Sequence, residues 1–191
     1  MMAAVGNEAR FLEAALPELK DYLFSKELYW PLPAVSGIGQ LADFVRLTPG
    51  NLLLYKARLK AKTVPVEEEL LLSKLDEICN RWRAHWIQKI EKEIPARLAL
   101  WNNALTEAQE DGFSLSDYRY QIRLRAMLEL LTAELPAMPL VYQKQIQALD
   151  QALKEMTFPG RFIWEPEVMQ AFPERDYWFL YRTTKKEAGK G

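Results

Sequence analysis

The sequence predicts a mainly α fold, an antiparallel helical bundle with long central helices and a small C-terminal β-hairpin-like element. Three observations carry that expectation. Apolar residues recur at steps of three and four through most of the chain, the spacing that builds one face of a helix. The borders between these stretches hold start and stop signals such as Thr48-Pro49, Pro65, Asp111-Gly112, Ser114 and Pro139. After Phe158-Pro159-Gly160 the period changes and β-prone aromatic runs take over. At 191 residues one domain is expected, covering 1–184, with a long-helix core over 65–156, an aromatic β closure over 161–182 and a frayed tail over 185–191.

A first helix begins near Asn7, with Leu12, Leu16, Leu19 and Leu23 on one face, and Pro17 bends or divides it. The segment LYWPLPAVSG interrupts helicity, because Pro31 and Pro33 lack amide donors and restrict the residues before them. A short helix over Gln40 to Arg46 follows. Thr48 is then an N-cap and Pro49 the first residue of a helix reaching about Ala61, with Leu52, Tyr55 and Leu59 on one face and Lys56 and Lys60 on another.

The longest pattern opens at Pro65 with Glu67, Glu68 and Glu69, whose carboxylates suit the positive end of a helix dipole. Leu71, Leu75, Ile78, Trp82, Trp86, Ile90 and Ile94 form its stripe, and Pro95 kinks or ends it. A second piece carries Leu98, Trp101 and Leu105 to the Asp111-Gly112 stop, with Arg97 expected as a surface cation stacked on Trp101. Ser114 or Ser116 caps a helix bearing Tyr120, Leu124, Met127, Leu131 and Leu135. Past Pro139, Tyr142, Ile146, Leu149, Leu153 and Met156 give the cleanest amphipathic pattern in the chain. Short strands around Phe162 to Trp164 and Tyr177 to Arg182 are expected to pair across an intervening helical turn.

Composition narrows the chemistry. A net charge of -1 leaves no strongly basic footprint for nucleic acid or anionic lipid. The lone Cys79 gives no disulfide framework, the first residues read as helix and not as a signal peptide, and no apolar run is long enough to span a bilayer. The expectation is a cytoplasmic protein with no membrane partner. His85 is the single histidine, so mechanisms and metal sites needing two are excluded within one chain. Six residues along a helix rotate by about 240° and rise by about 9 Å, which separates Cys79 from His85 as nucleophile and base. The glycines of SGIGQ and PGN lack the Lys-Ser/Thr pair of a phosphate loop. No cofactor, no metal and no catalytic group are expected.

A non-enzymatic interaction or scaffold domain is therefore the leading expectation, with a protein partner or a second copy as occupant. Six tryptophans are many for a bundle of this size, and Tyr29, Trp30, Tyr177 and Trp178 lie in segments that helical packing alone cannot cover. They are the candidate partner contacts. Arg119 and Arg123 stand one helical turn apart beside Tyr118 and Tyr120, so their like charges need a carboxylate or a bound anion between them. They are the candidate anion site of a small-ligand binder or enzyme.

The string QLADFVRLTPGNLLLYKARLKAK, Gln40 to Lys62, resembles the helix-turn-helix of winged-helix transcriptional regulators. The resemblance implies a DNA-binding regulator, with Thr48, Asn51, Lys56, Arg58 and Lys60 as contacts on and after a recognition-helix N-terminus. The string departs from that family in its apolar Leu52, Leu53 and Leu54 and in running on to a Glu-rich helix where a β-wing belongs. Nucleic acid accordingly ranks behind a protein partner.

Overall fold

Apolar periodicity becomes seven helices among the described residues, so the chain is mainly α, with a two-stranded antiparallel ribbon near its C-terminal end. The computed structural model describes residues 7–33, 46–62 and 65–184. The expected helix over Gln40 to Arg46, apart from Arg46 itself, and the tail over 185–191 lie outside them. Contacts divide the chain into two compact units, Met1–Glu93 and Ile94–Gly191.

In the first unit α1 (Asn7–Phe24) runs unbroken through Pro17. Pro17 and Glu13, whose carbonyl would have accepted the missing proline N–H, are both exposed, so water can satisfy the orphan. α1 packs on α2 (Pro49–Lys60) and α3 (Val66–Arg81), burying Leu12, Leu19, Tyr22 and Leu23 against Leu52, Leu59, Leu72 and Leu75. Thr48 caps α2 as expected: its backbone is extended and its Oγ1 accepts the Asn51 N–H at 3.2 Å. The chain before it returns to the Trp30 segment through an isolated antiparallel bridge between Trp30 and Leu47.

The long helix does not break at Pro95. It is interrupted at Trp82, which leaves helical geometry at φ -112° and ψ 39°, and α4 (Arg83–Asp111) then runs through Pro95 to Asp111. Pro95 and Glu91 both face solvent, the same arrangement that spares α1 at Pro17. The Gly112 stop is as expected: Gly112 takes φ 72° and its N–H closes on Ala108 O at 2.8 Å.

In the second unit Ser114 caps α5 (Leu115–Gln121), and Ile122 joins it to α6 (Arg123–Ala133) with near-helical geometry. Tyr118, not Tyr120, is the aromatic that enters the core; Tyr120 is half-exposed. α7 (Leu140–Met156) leads directly into β1 (Thr157–Pro159), which pairs antiparallel with β2 (Arg182–Thr184) in the register Thr157 to Thr184 and Pro159 to Arg182.

The ribbon exists, but its strands are not the aromatic runs. Phe162 to Trp164 forms no strand, and within YWFLYR the residues Trp178–Leu180 curl into a 3₁₀ turn. Burial decides it. The turn drives Phe179 and Leu180 fully inward, where the Phe179 carbonyl accepts the buried Tyr118 hydroxyl at 2.6 Å. High β-propensity reports a fit to a half-buried surface, and a 3₁₀ turn in an aromatic cluster supplies that fit equally well. Trp164, Phe172, Tyr177 and Phe179 continue the cluster edge to face at ring separations of 5.1 to 5.8 Å.

Candidate functional site

α7 carries the cleanest amphipathic pattern, yet its apolar face is the least covered. Of Tyr142, Ile146, Leu149, Leu153 and Met156 only Leu153 is buried, and Leu140 and Val141 at its start are 63% and 56% exposed. The uncovered part forms one wall of a groove of about 490 Å³. Tyr142, Gln145, Ala148 and Leu149 line it from α7, and Pro95, Leu98, Ala99 and Asn102 from α4. Val141, Gln145 and Ala148 follow one another at i, i+4 and i+7, so Val141 extends the wall beyond the groove. No lining residue is charged.

The other end of α7 is anchored. Arg125, 5% exposed on α6, donates from Nε to Asp150 Oδ1 at 2.7 Å, from Nη2 to Asp150 Oδ2 at 3.0 Å and from Nη1 to Glu129 at 2.9 Å. Its guanidinium lies 4.6 Å from the Phe179 ring. Burial alone would lower the Arg125 pKa, but the Asp150 hydrogen bonds and the Asp150 and Glu129 charges raise it above its ordinary value. Thr157 Oγ1 donates to Leu153 O at 2.7 Å, and Arg182 reaches Lys154 O, so the last carbonyls of α7 are capped.

The partner candidates from sequence fall in both units. Tyr29 is 45% exposed, whereas Trp30 is held by its indole N–H, which donates to Glu18 at 2.9 Å. Tyr177 is half-buried, and burial, reinforced by the Glu129 and Asp176 charges, pushes its pKa up to about 12. Trp178 is half-buried with the Lys154 ammonium 4.7 Å and the Arg182 guanidinium 5.4 Å from its ring. Arg97, expected at the surface, is buried, as is Trp101.

The anion candidates separate. Arg119 pairs with Glu165 at 3.3 Å, while Arg123 lies 4.0 Å over the Tyr120 ring and bonds its hydroxyl. The DNA candidates are engaged within the first unit. Thr48 and Asn51 bond each other, and Asn51 Nδ2 donates to Arg46 O at 2.8 Å. Lys56, 8% exposed, bonds Asp76, with Lys60 3.5 Å from the same carboxylate; Arg58 pairs with Glu8 at 3.1 Å. The α2 N-terminus, where a recognition helix would meet phosphate, holds the buried Glu93 carboxylate on the Gly50 N–H at 2.7 Å. Leu52 and Leu54 are buried. A DNA contact through α2 would require opening these bonds.

The chain matches no family model, no curated protein and no solved structure. The site therefore rests on geometry alone. Among the described residues no three His, Cys, Asp or Glu side chains gather to hold a metal, and no helix is long and apolar enough to cross a membrane. Cys79 is buried, and the His85 ring lies tilted against Phe24 at 4.3 Å. Sequence reasoning missed Ala99, Asn102, Gln145 and Ala148. Small and amide side chains leave no periodic signature, although the α7 pattern pointed to the helix that carries Gln145 and Ala148.

Proposed function

We propose that this chain is a protein-interaction domain that uses the α4–α7 groove. The observation that carries this reading is the uncovered apolar face of α7. An amphipathic helix gains its stability by burying such a face, and here Leu153 alone of the stripe is buried, Tyr142, Ile146, Leu149 and Met156 are half-buried, and Leu140 and Val141 are exposed. The groove offers the shape of a helix-in-groove site.

The occupant is a second copy of the same chain. The groove lining is uncharged, so a charged partner face would find no complement there and would lose its hydration. Val141 and the α7 wall form a neutral, largely apolar helix face of the kind that fits, and the knob lies beside one wall of the hole, so that two copies can fill each other's groove about a twofold axis. Light scattering after size exclusion across a concentration series tests this. A dimer that Val141→Glu with Ala148→Glu converts to monomer supports the reading. A strict monomer at all concentrations overturns it, as does a dimer indifferent to both substitutions.

A further inference from the structure

Beside the ribbon lies a second cavity, of about 580 Å³, whose lining includes Arg119, Arg161 and Arg182 and no acidic residue. Its apolar floor comes from Leu115, Phe162 and Ile163, and Ser116 and Thr183 add hydroxyls. Two of the arginines reach it through strand register. Arg182 faces Pro159, and the next residue but one after Pro159 is Arg161. Gly160 permits the approach, since a Cβ there would stand 3.0 Å from the Thr183 amide nitrogen.

The three cations are poorly neutralised. Arg119 has Glu165 at 3.3 Å, but both side chains are 49% exposed, so that pair is weak and readily exchanged. Arg161 is exposed and makes no ion pair among the described residues. Arg182, half-buried, is held only by neutral oxygens: its Nε donates to Thr157 Oγ1 at 2.6 Å, and its Nη2 to Thr157 O at 2.7 Å and Lys154 O at 3.3 Å. Its Nη1 has no hydrogen-bond partner among the described residues. Burial lowers the Arg182 pKa from its ordinary value, with Tyr118 opposing.

We propose that this cavity binds a small organic anion, a carboxylate or phosphate carried on an apolar ring or chain. Arg119 and Arg161 offer planar, paired donors matched to either head group, Arg182 adds its Nη1 and its charge, and the Phe162 floor takes the apolar body. The site differs from the pair suggested by spacing alone: Arg119 belongs to it, Arg123 does not line it, and Arg161 and Arg182 complete it.

Titration calorimetry with phenyl phosphate, benzoate and inorganic phosphate tests the proposal, with tryptophan fluorescence as a second readout. Trp164 donates its indole N–H to Arg119 O at 3.1 Å and Trp178 lies against Arg182, so both report on the site. Phenyl phosphate or benzoate is expected to bind, inorganic phosphate about tenfold more weakly, and added salt to weaken all three. Arg161→Ala, at an exposed position without an ion pair, should lower affinity about tenfold while leaving the circular dichroism spectrum unchanged, and Arg161→Lys should restore part of it. The proposal is overturned if neither aryl anion binds at millimolar concentration. It is equally overturned if Arg161→Ala and Arg119→Ala both leave binding unchanged, or if inorganic phosphate binds as tightly as phenyl phosphate.

Discussion

Replacing Asp150 by Asn removes one negative charge and little volume, and leaves the buried Arg125 guanidinium with a neutral acceptor and Glu129. Arg125 is 5% exposed, and two of its three carboxylate hydrogen bonds go to Asp150, at 2.7 and 3.0 Å. Removing one partner of a buried ion pair costs about 3–5 kcal/mol when the other is stranded. Asparagine retains one acceptor and Glu129 still neutralises, so the expected loss falls below that range, at about 2–3 kcal/mol. For a chain of 191 residues this corresponds to a fall in Tm of about 5–10 °C. Urea unfolding followed by circular dichroism measures the loss. The solvent-exposed Arg175–Asp176 pair, 3.4 Å apart, is the control, and Asp176→Asn should leave the midpoint where it is.

The double variant Arg125→Met with Asp150→Leu separates a stranded charge from lost packing. If the penalty arises from stranding, the double variant is more stable than the sum of its single losses predicts, by more than about 1.5 kcal/mol. Amide exchange adds a local readout: Asp150→Asn should lower protection along α7 more than along α6. A loss below about 1 kcal/mol for Asp150→Asn, or additive losses in the cycle, would refute the reasoning.

Lys89 is 3% exposed, donates to Ser25 O at 3.1 Å and Ser25 Oγ at 3.0 Å as well as to Glu27 O, and has its pKa lowered from 10.5 to about 8 by burial and by the Lys92 charge. The unfolded chain therefore binds more protons between about pH 8 and 10.5, stability rises with pH through that window by at most about 3 kcal/mol, and Lys89→Met abolishes the rise. Tyr177 acts in the opposite sense: its pKa lies at about 12 in the fold, so stability declines from pH 10 upwards and Tyr177→Phe should shallow the decline in alkaline melting curves. At the acid end burial would raise the Glu8 pKa, but the Lys62 hydrogen bond and the Arg58 and Lys62 charges bring it below 4.5; the stability it supplies above that pH is lost as pH falls through the lowered value, and Glu8→Gln should flatten that limb. Thr48→Ala should cost about 1 kcal/mol by freeing the Asn51 N–H, and Glu93→Gln more, because Glu93 is a fully buried acceptor at the same helix end; denaturant midpoints rank the two.

Legibility in the sequence followed the range of the deciding interaction. Thr48-Pro49 and Gly112 act within one turn of chain, and those helix ends lie where local chemistry places them. Whether Pro17 and Pro95 break their helices depends on which face they occupy, and in both cases that face is solvent. The interruption at Trp82 carries no proline or glycine, and no local residue announces it. The strands failed for a related reason. YWFLYR is aromatic because it enters a core cluster, while Thr157–Pro159 and Arg182–Thr184 pair through a closure that only the packed unit defines. The candidate sites show the same division. The α7 face was readable as a period, but its exposure was not, since periodicity does not say what covers a face. Arg119 was visible beside Arg123; its convergence with Arg161 and Arg182 depends on the ribbon register and the space at Gly160.

The two ends of α7 are held unequally, and this asymmetry bears on the proposed interface. Leu153 is buried, Thr157 caps Leu153 O, Arg182 caps Lys154 O and Asp150 holds Arg125, all within the last two turns. The first two turns contain the exposed Leu140 and Val141 and the half-buried Tyr142 and Ile146, with only the Gln143 side chain bonding back to Met138 O at 3.2 Å. Segments with few buried apolar groups open at lower free-energy cost than those locked by buried ion pairs. The part of the groove wall built from this segment, Tyr142 and Gln145, can adjust to an occupant while the far end of α7 stays fixed, and in the proposed dimer burial of Leu140 and Val141 would stabilise what is open here. Amphipathic pattern, exposure and anchoring thus place the adaptable apolar surface on the same half of one helix.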